Sequence, residues 1–531
     1  NAAWKDPSYL SIAQIDCLRG EWHVALEHVE QSLIRNWHNH KARQLKASLL
    51  RKKGNSVAAL QWIAASLEID RLNMGCLFEK FLITKDEDVK RTMMEVLQEN
   101  PHSYLEYALD FSAAGLYEEA IELLQWSMAT GAGRYPIIHY ALGYFLSKNG
   151  KEEESKNRYH QAFALSPDRC FPNRLEEVLI LQHALTVHPG DSKALYYLGN
   201  FWYAKRQYAE AIECWEKSVA LNKKFPTVLR NLSLAYYNKA DRKSEALQLL
   251  ERAFKLDETD SRIFMELDQL YKKLNYPPVE RLAFLEAHMD LVEERDDLFV
   301  ERIALYNQLG RYEIARELCA SRKFHPWEGG EGKITFQYTH CRLQLAKRAI
   351  DSQDFTLALQ YLKETDEYPY NLGEGKLSTV NENDVDYYKG VCYRGMNDEA
   401  NAVKWFTKAT KGSEEPKQVF YYNDENPDKI YYQGLAWRAL GFEEKALERF
   451  HTLIAHGEKH LNDKCTIDYF AVSLPDLAIW EEDLNKRNCI HCHYVMALGY
   501  LGMNESEKAN ENINKVLMLD VNHVSLIQEM S

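Results

Sequence analysis

The string with the most chemical potential in this chain is Cys489-Ile490-His491-Cys492-His493, which sets four metal-capable side chains within five residues. A structural zinc site needs a second pair of ligands at tetrahedral distance. The nearest other cysteine is Cys465, and no second Cys-x-x-Cys follows it. Redox work by Cys489 and Cys492 would need a surrounding βαβ pattern, and these residues read as one helix. His456 and His460 are spaced i, i+4 for a shared helix face. The order there is His-Gly-Glu-Lys-His, without the His-Glu-x-x-His that supplies a zinc hydrolase with its base. The tetrapeptide Gly-Glu-Gly-Lys occurs twice, at 330–333 and 373–376. It lacks the spacing of a phosphate loop and follows no strand, which excludes nucleotide binding. No Ser, His and Asp constellation is legible either. The expectation is therefore no metal, no cofactor and no catalytic residue.

Both tetrapeptides lie in long insertions: Phe324 to Lys333, Thr365 to Glu382, and a third from Gly412 to Asn426. Connections of this length are uncommon in compact domains and often carry function. One reading is structural, with Gly supplying backbone freedom for docking each loop and Glu and Lys solvated. The other makes the loops a contact surface built from His325, Trp327, Glu328, Glu331, Tyr370, Asn371, Glu374, Tyr421, Tyr422 and Asp424. Tyr368, Tyr431 and Tyr432 sit in or beside the same insertions. Aromatic residues serve both protein interfaces and sugar stacking, and Glu331 and Glu374 would offer acceptors to a basic or hydroxyl-rich partner.

The elements that position these loops follow from an internal repeat. A small residue is followed twelve positions later by another, as in Ala13 and Ala25, Ala47 and Ala59, Ala108 and Ala120, Gly143 and Ser155, and Gly199 and Ala211. The series resumes with Gly390 and Ala402, Gly434 and Ala446, and Ala497 and Ala509. A large residue stands four positions after the second small one: Tyr159, Trp215, Phe406, Phe450. Small residues let two helices of a hairpin approach, and the large ones form the stripe that the next hairpin covers. Between them lie turns such as Gly115-Leu116-Tyr117 and Gly310-Arg311-Tyr312. Clear repeats are expected near 6, 40, 101, 136, 192, 226, 296, 383, 427 and 490. Degenerate ones are expected near 74, 261 and 334, with an unpaired or shortened hairpin from Asn173 to His188.

This pattern resembles the tetratricopeptide (TPR) repeat. It implies an all-α fold, a TPR-type α-solenoid or superhelix of helical hairpins, with long loop insertions in its C-terminal half. The expected organisation is a regular array over 1–322 and a degenerate, loop-bearing array over 323–531. The strings FHPWEGGEGK, YPYNLGEGKL, PDKIYYQGLA and IDYFAVSLPDL further resemble bacterial proteins of the YphG type. Those proteins join an N-terminal β-rich domain to a C-terminal TPR array. The resemblance implies that this chain is the C-terminal part of a larger protein. It also implies a second role, in which the loops complete a carbohydrate-directed active site housed in that missing domain.

Composition narrows the classes. The chain has 531 residues with 65 Lys+Arg against 79 Asp+Glu, a net charge of −14. That balance excludes a basic footprint for nucleic acid. Gly and Pro total 38 residues (24 + 14), a shortage of turn formers that agrees with a helical chain. Ten cysteines over this length suit a reducing, cytoplasmic setting. No run is apolar enough to span a membrane. The function expected is a non-catalytic scaffold that binds its own β-rich domain or another protein. Homodimerisation through the terminal hairpins is compatible with a stacked array.

Overall fold

Small residues at the expected positions bring paired helices into contact. Ala13, Ala25, Ala47, Ala59, Ala108, Ala120, Ala211, Ala402, Ala446, Ala497 and Ala509 are all fully buried. At four hairpins glycine is required by closeness. A Cβ on Gly143 would lie 2.5 Å from the ring of Tyr159, and one on Gly199 would lie 2.3 Å from Trp215. The equivalent separations are 2.6 Å for Gly390 with Phe406 and 2.4 Å for Gly434 with Phe450. Each ring is the large residue sixteen positions on, so one small-to-large spacing sets how tightly a hairpin closes.

The computed structural model describes residues 6–327, 329–377, 380–417, 426–466 and 478–523. Among them it forms 28 α-helices and no strand. Contacts divide the chain into two compact units, Asn1–Leu232 and Ser233–Ser531. The first contains hairpins such as His40–Lys52 with Ser56–Ile69 and Ser192–Ala204 with Tyr208–Leu221. Its helix Leu175–Val187 stands without a hairpin partner of its own, as expected for that segment. Helix starts are set by side chains that accept backbone N–H groups: Asn39, Asn55, Asn100 and Asp191 all do so.

The second unit runs through Asp296–Gln308 with Tyr312–Ala320, Lys333–Asp351 with Phe355–Glu364, and Asn383–Gly395 with Glu399–Ala409. Asp428–Ala439 with Glu443–His460 and Leu484–Gly502 with Ser506–Leu519 complete it. The last hairpin begins at Leu484 rather than near 490, because Asp483 caps it by accepting from Asn485 N and Lys486 N. The helix Glu443–His460 does carry both His456 and His460.

This unit closes on itself, which the repeat pattern does not anticipate. Residues 478–483 and 519–523 return to the helices that open the unit. Trp480 Nε1 donates to Glu266 O at 3.0 Å. Asn238 donates to Ile479 O at 2.9 Å and accepts from Glu481 N at 2.9 Å. Asn275 Oδ1 accepts from Val521 N at 2.7 Å, and Asn522 Nδ2 donates to Tyr276 O at 3.2 Å. Beneath this seam Arg281 is buried, bonded to Asp268 at 2.6 Å, Glu301 at 2.8 Å and Asn522 Oδ1 at 3.1 Å. The seam is polar, but every bond named has its partner, which is what makes burial of such groups tolerable.

Candidate functional site

Two of the three insertions meet. Their bases are the turn after Tyr312–Ala320 and the turn after Phe355–Glu364, successive second helices of the stack. Phe324 N donates to Asn371 O at 2.7 Å. Asn371 Nδ2 donates to Cys319 O at 2.8 Å and to Arg322 O at 2.9 Å. Gly332 N donates to Glu374 Oε2 at 2.9 Å. Gly373 turns with φ 75°, and a Cβ there would sit 2.6 Å from Phe324 O, so only glycine lets the second loop lie against the first. Lys376 secures the far end through Thr365 O at 2.7 Å and Glu382 at 2.6 Å.

The candidate residues divide by what this junction does with them. Tyr370 is 86% exposed, and Lys323 Nζ lies 5.3 Å from its ring centre. His325 is exposed and is held by Asp296, which accepts from His325 N at 2.8 Å and lies 3.1 Å from Nδ1. Glu331 is exposed. Trp327 is half-buried and folds over Gly330, where a Cβ would meet the indole at 2.0 Å. Asn371 and Glu374 spend their polar atoms on the neighbouring loop. Glu328, Tyr421, Tyr422 and Asp424 lie outside the described residues. Tyr432 is not a surface residue: it is fully buried, with Tyr387 and Tyr388 against it. Its helix turns that face to the preceding hairpin. Tyr368 packs on Tyr338, and burial pushes its phenol pKa up. Between the loops lies an open hollow of about 530 Å³ lined by Lys323, Phe324, His325, Tyr368, Tyr370 and Glu374.

The described ends of the third insertion lead elsewhere. Ser413 O accepts from Gln433 Nε2 at 2.9 Å, and Lys417 O lies 2.8 Å from His491 Nε2. Asn426 and Pro427 line a second hollow of about 450 Å³ at the seam. Tyr237, Lys272, Arg487 and Tyr494 form its walls together with Asp520 and His523. Reading the sequence did not single out these residues. They come from both sides of a closure joining positions more than two hundred residues apart, and no local spacing marks them.

The cysteine–histidine string lies along Leu484–Gly502 without converging. Cys492 is buried with its sulfur 3.7 Å from Asn488 Oδ1, and His493 Nδ1 lies 2.8 Å from Asn512 Oδ1. His456 lies between His460, at 4.6 Å between ring centres, and His491, at 6.2 Å. Burial, then the neighbouring His460, lowers the His456 pKa to about 4; burial, then His456, does the same for His491. His460 instead turns to Asp463 at 2.6 Å. Among the described residues no three His, Cys, Asp or Glu side chains are grouped to hold a metal ion.

The sequence profile of the tetratricopeptide repeat matches residues 192–225, the hairpin in which Gly199 meets Trp215. Similar solved structures include the TPR domain of P58(IPK), 11% identical, covering 95% of this chain and 99% of that one, with a TM-score of 0.25. The APC/C hetero-tetramer Cut9–Hcn1 is 12% identical over 98% of this chain and 95% of that one, with a TM-score of 0.26. YrrB, described as a TPR protein with an unusual peptide-binding site, is 15% identical over 45% of this chain and 96% of its own, with a TM-score of 0.18. The matched hairpin recurs in register along both units, and the chain is an all-α solenoid of TPR-type hairpins. Arrays of this kind commonly serve as interaction scaffolds. Among the described residues no helix is long and apolar enough to cross a membrane.

Proposed function

We propose that this chain is a non-catalytic scaffold for a protein partner, with the joined insertions at 324–333 and 368–376 as its contact surface. One observation carries the reading: two loops some forty residues apart are locked together by Asn371, Gly373 and Glu374, yet they leave Tyr370, His325 and Glu331 to solvent. A pre-formed surface loses little ordering entropy on binding, and an exposed tyrosine beside a hollow is the kind of anchor that dominates interfaces. The partner fitting this chemistry is a polypeptide offering basic and hydroxyl-bearing side chains to Glu331 and Tyr370. An adjoining β-rich domain or a separate protein would meet that description. The organisation we favour has the array up to residue 322 as support and the loop-bearing remainder as reader. Ten free cysteines support a reducing, cytoplasmic setting.

The test is site-specific photo-crosslinking in cells, with a photoreactive residue at Tyr370 or, as control, at the exposed Leu175. A single partner captured from position 370 and lost on Glu331→Arg is the expected result. Equal capture from both positions, or capture indifferent to Glu331→Arg, would overturn the reading.

A further inference from the structure

The two joined loops carry one pattern, an aromatic residue, two others and then Gly-Glu-Gly-Lys: Trp327 to Lys333 and Tyr370 to Lys376. They also turn alike, since Gly330 N donates to Trp327 O at 2.9 Å and Gly373 N donates to Tyr370 O at 3.2 Å. Between the two motifs the bonding is one-sided. Glu374, the acid of the second motif, accepts at 2.9 Å from Gly332 N, the last glycine of the first. The matching pair would be Glu331, the acid of the first motif, and Gly375, the last glycine of the second. Among the described residues Glu331 accepts no hydrogen bond and Gly375 N donates none. Both residues are exposed, and a Cβ on Gly375 would meet nothing within 4 Å, so its backbone is open to approach. Glu331 precedes Gly332 and Gly375 follows Glu374, so the bonded pair holds this free acceptor and this free donor in one small patch.

We propose that two copies of this chain pair through the patch about a twofold axis, Glu331 of each copy accepting from the Gly375 N–H of the other. A twofold interface sets residue i against j and j against i, so a patch with one free acceptor and one free donor satisfies both at once. The bond is the one the chain already makes within itself, Glu374 to Gly332, with the order of the motifs reversed. A carboxylate accepting from a backbone N–H is among the stronger hydrogen bonds. Charge supports the same pairing. The patch carries both signs, and among the described residues no carboxylate pairs with the exposed Lys323 and no cation with Glu331. Gly375 also lines the hollow beside Tyr370, so the 86% exposed ring of one copy has a recess on the other to enter. A contact limited to two loops lies at the small end of specific interfaces, under about 1,200 Å² in total, where association is weak and transient. The inference rests on the surface of the scaffold reading and adds its regulation. A copy engaged in the pair cannot offer Tyr370 and Glu331 to another protein, so the second copy and the partner compete.

The experiment follows the purified full chain by analytical ultracentrifugation across a dilution series. The mass should rise with concentration from one chain toward two. Glu331→Ala and Gly375→Pro, the latter removing the N–H, should each move that rise about tenfold or more to higher concentration. An equimolar mixture of these two variants should recover part of the shift. The mixed pair keeps one bond, from Gly375 of the Glu331→Ala chain to Glu331 of the Gly375→Pro chain. A single-chain mass throughout, a rise unmoved by Glu331→Ala, or a mixture no stronger than its components overturns the inference. Because proline also restrains the loop, Glu331→Ala decides alone where Gly375→Pro loses its helical circular dichroism. The purified chain meets no other protein, so a monomer here leaves capture of a partner from position 370 untouched. Failure of that capture in cells likewise leaves the measured pairing in place.

Discussion

Trp480→Ala should open the seam of the second unit while leaving its middle hairpins folded. The indole is only 4% exposed, its ring meets Tyr237 at 5.1 Å, and its N–H is bonded to Glu266 O. A buried indole removes roughly 150–250 Å² from water, which at about 25 cal/mol per Å² is ~4–6 kcal/mol. Retaining the Ala stub and allowing partial collapse reduces this to about 3–5 kcal/mol. The lost indole hydrogen bond adds about 1 kcal/mol. The remaining ties are hydrogen bonds through Asn238, Asn275 and Asn522, one of them to the Arg281 guanidinium, and the partly exposed ion pairs Lys239–Glu481 and Lys273–Glu482. Each is worth about 1–2 kcal/mol or less, so no one of them replaces the buried indole. A loss of about 4 kcal/mol lowers the closed-to-open ratio about a thousandfold. Amide hydrogen exchange resolved by peptide would read this directly. Protection should fall in 233–281 and 478–523 and hold in Asn383–Gly395 and Glu399–Ala409. Unchanged exchange at the seam would refute the closure argument, and a uniform rise across the unit would show that the seam is not a separable element.

Gly199→Ala should destabilise its hairpin by about 1–3 kcal/mol through overpacking against Trp215, visible as a lower urea midpoint for tryptophan fluorescence; an unchanged midpoint would contradict the close approach. Arg281→Met should cost about 3–5 kcal/mol by stranding the buried Asp268, since Glu301 keeps its bond to Lys272, and the added Asp268→Leu change should recover part of it in thermal melts. Asn371→Ala should raise exchange in 322–332 and 369–377 together, since one amide holds both loops; a rise confined to one loop would separate them. His456 and His491 are held neutral down to about pH 4, whereas unfolded histidine takes a proton near pH 6.5. The unfolded state therefore binds more protons between these values, so stability is full above about pH 6.5 and falls as pH drops toward 4. Melting from pH 7 to 5 should show a decline that flattens in His456→Gln/His491→Gln, and an identical slope would remove these groups from the account.

The repeat is legible in the sequence because it is local. Ala47 and Ala59, or Gly199 and Trp215, face each other through a short turn, so their spacing alone brings the helices together. Asn39 and Asp191 cap their helices through equally local bonds, and the cap at Asp483 starts the last hairpin earlier than the repeat register places it. The insertions were visible as breaks in that register. Their junction was only partly foreseeable: equivalent turns of successive hairpins are neighbours, but the lock through Asn371 and Gly373 depends on backbone geometry that no residue type encodes by itself. Tyr432 shows the reverse error, since nearness to an insertion says nothing about which helix face is covered.

What only the tertiary structure decided is the closure of the second unit. Closure sums small rotations over several stacked hairpins, each set by side-chain packing, before Trp480 and Asn522 reach Glu266 and Arg281. The seam itself is made of isolated contacts, the Trp480 indole, the Arg281–Asn522 bond and asparagine-to-backbone bonds, which carry no periodic pattern.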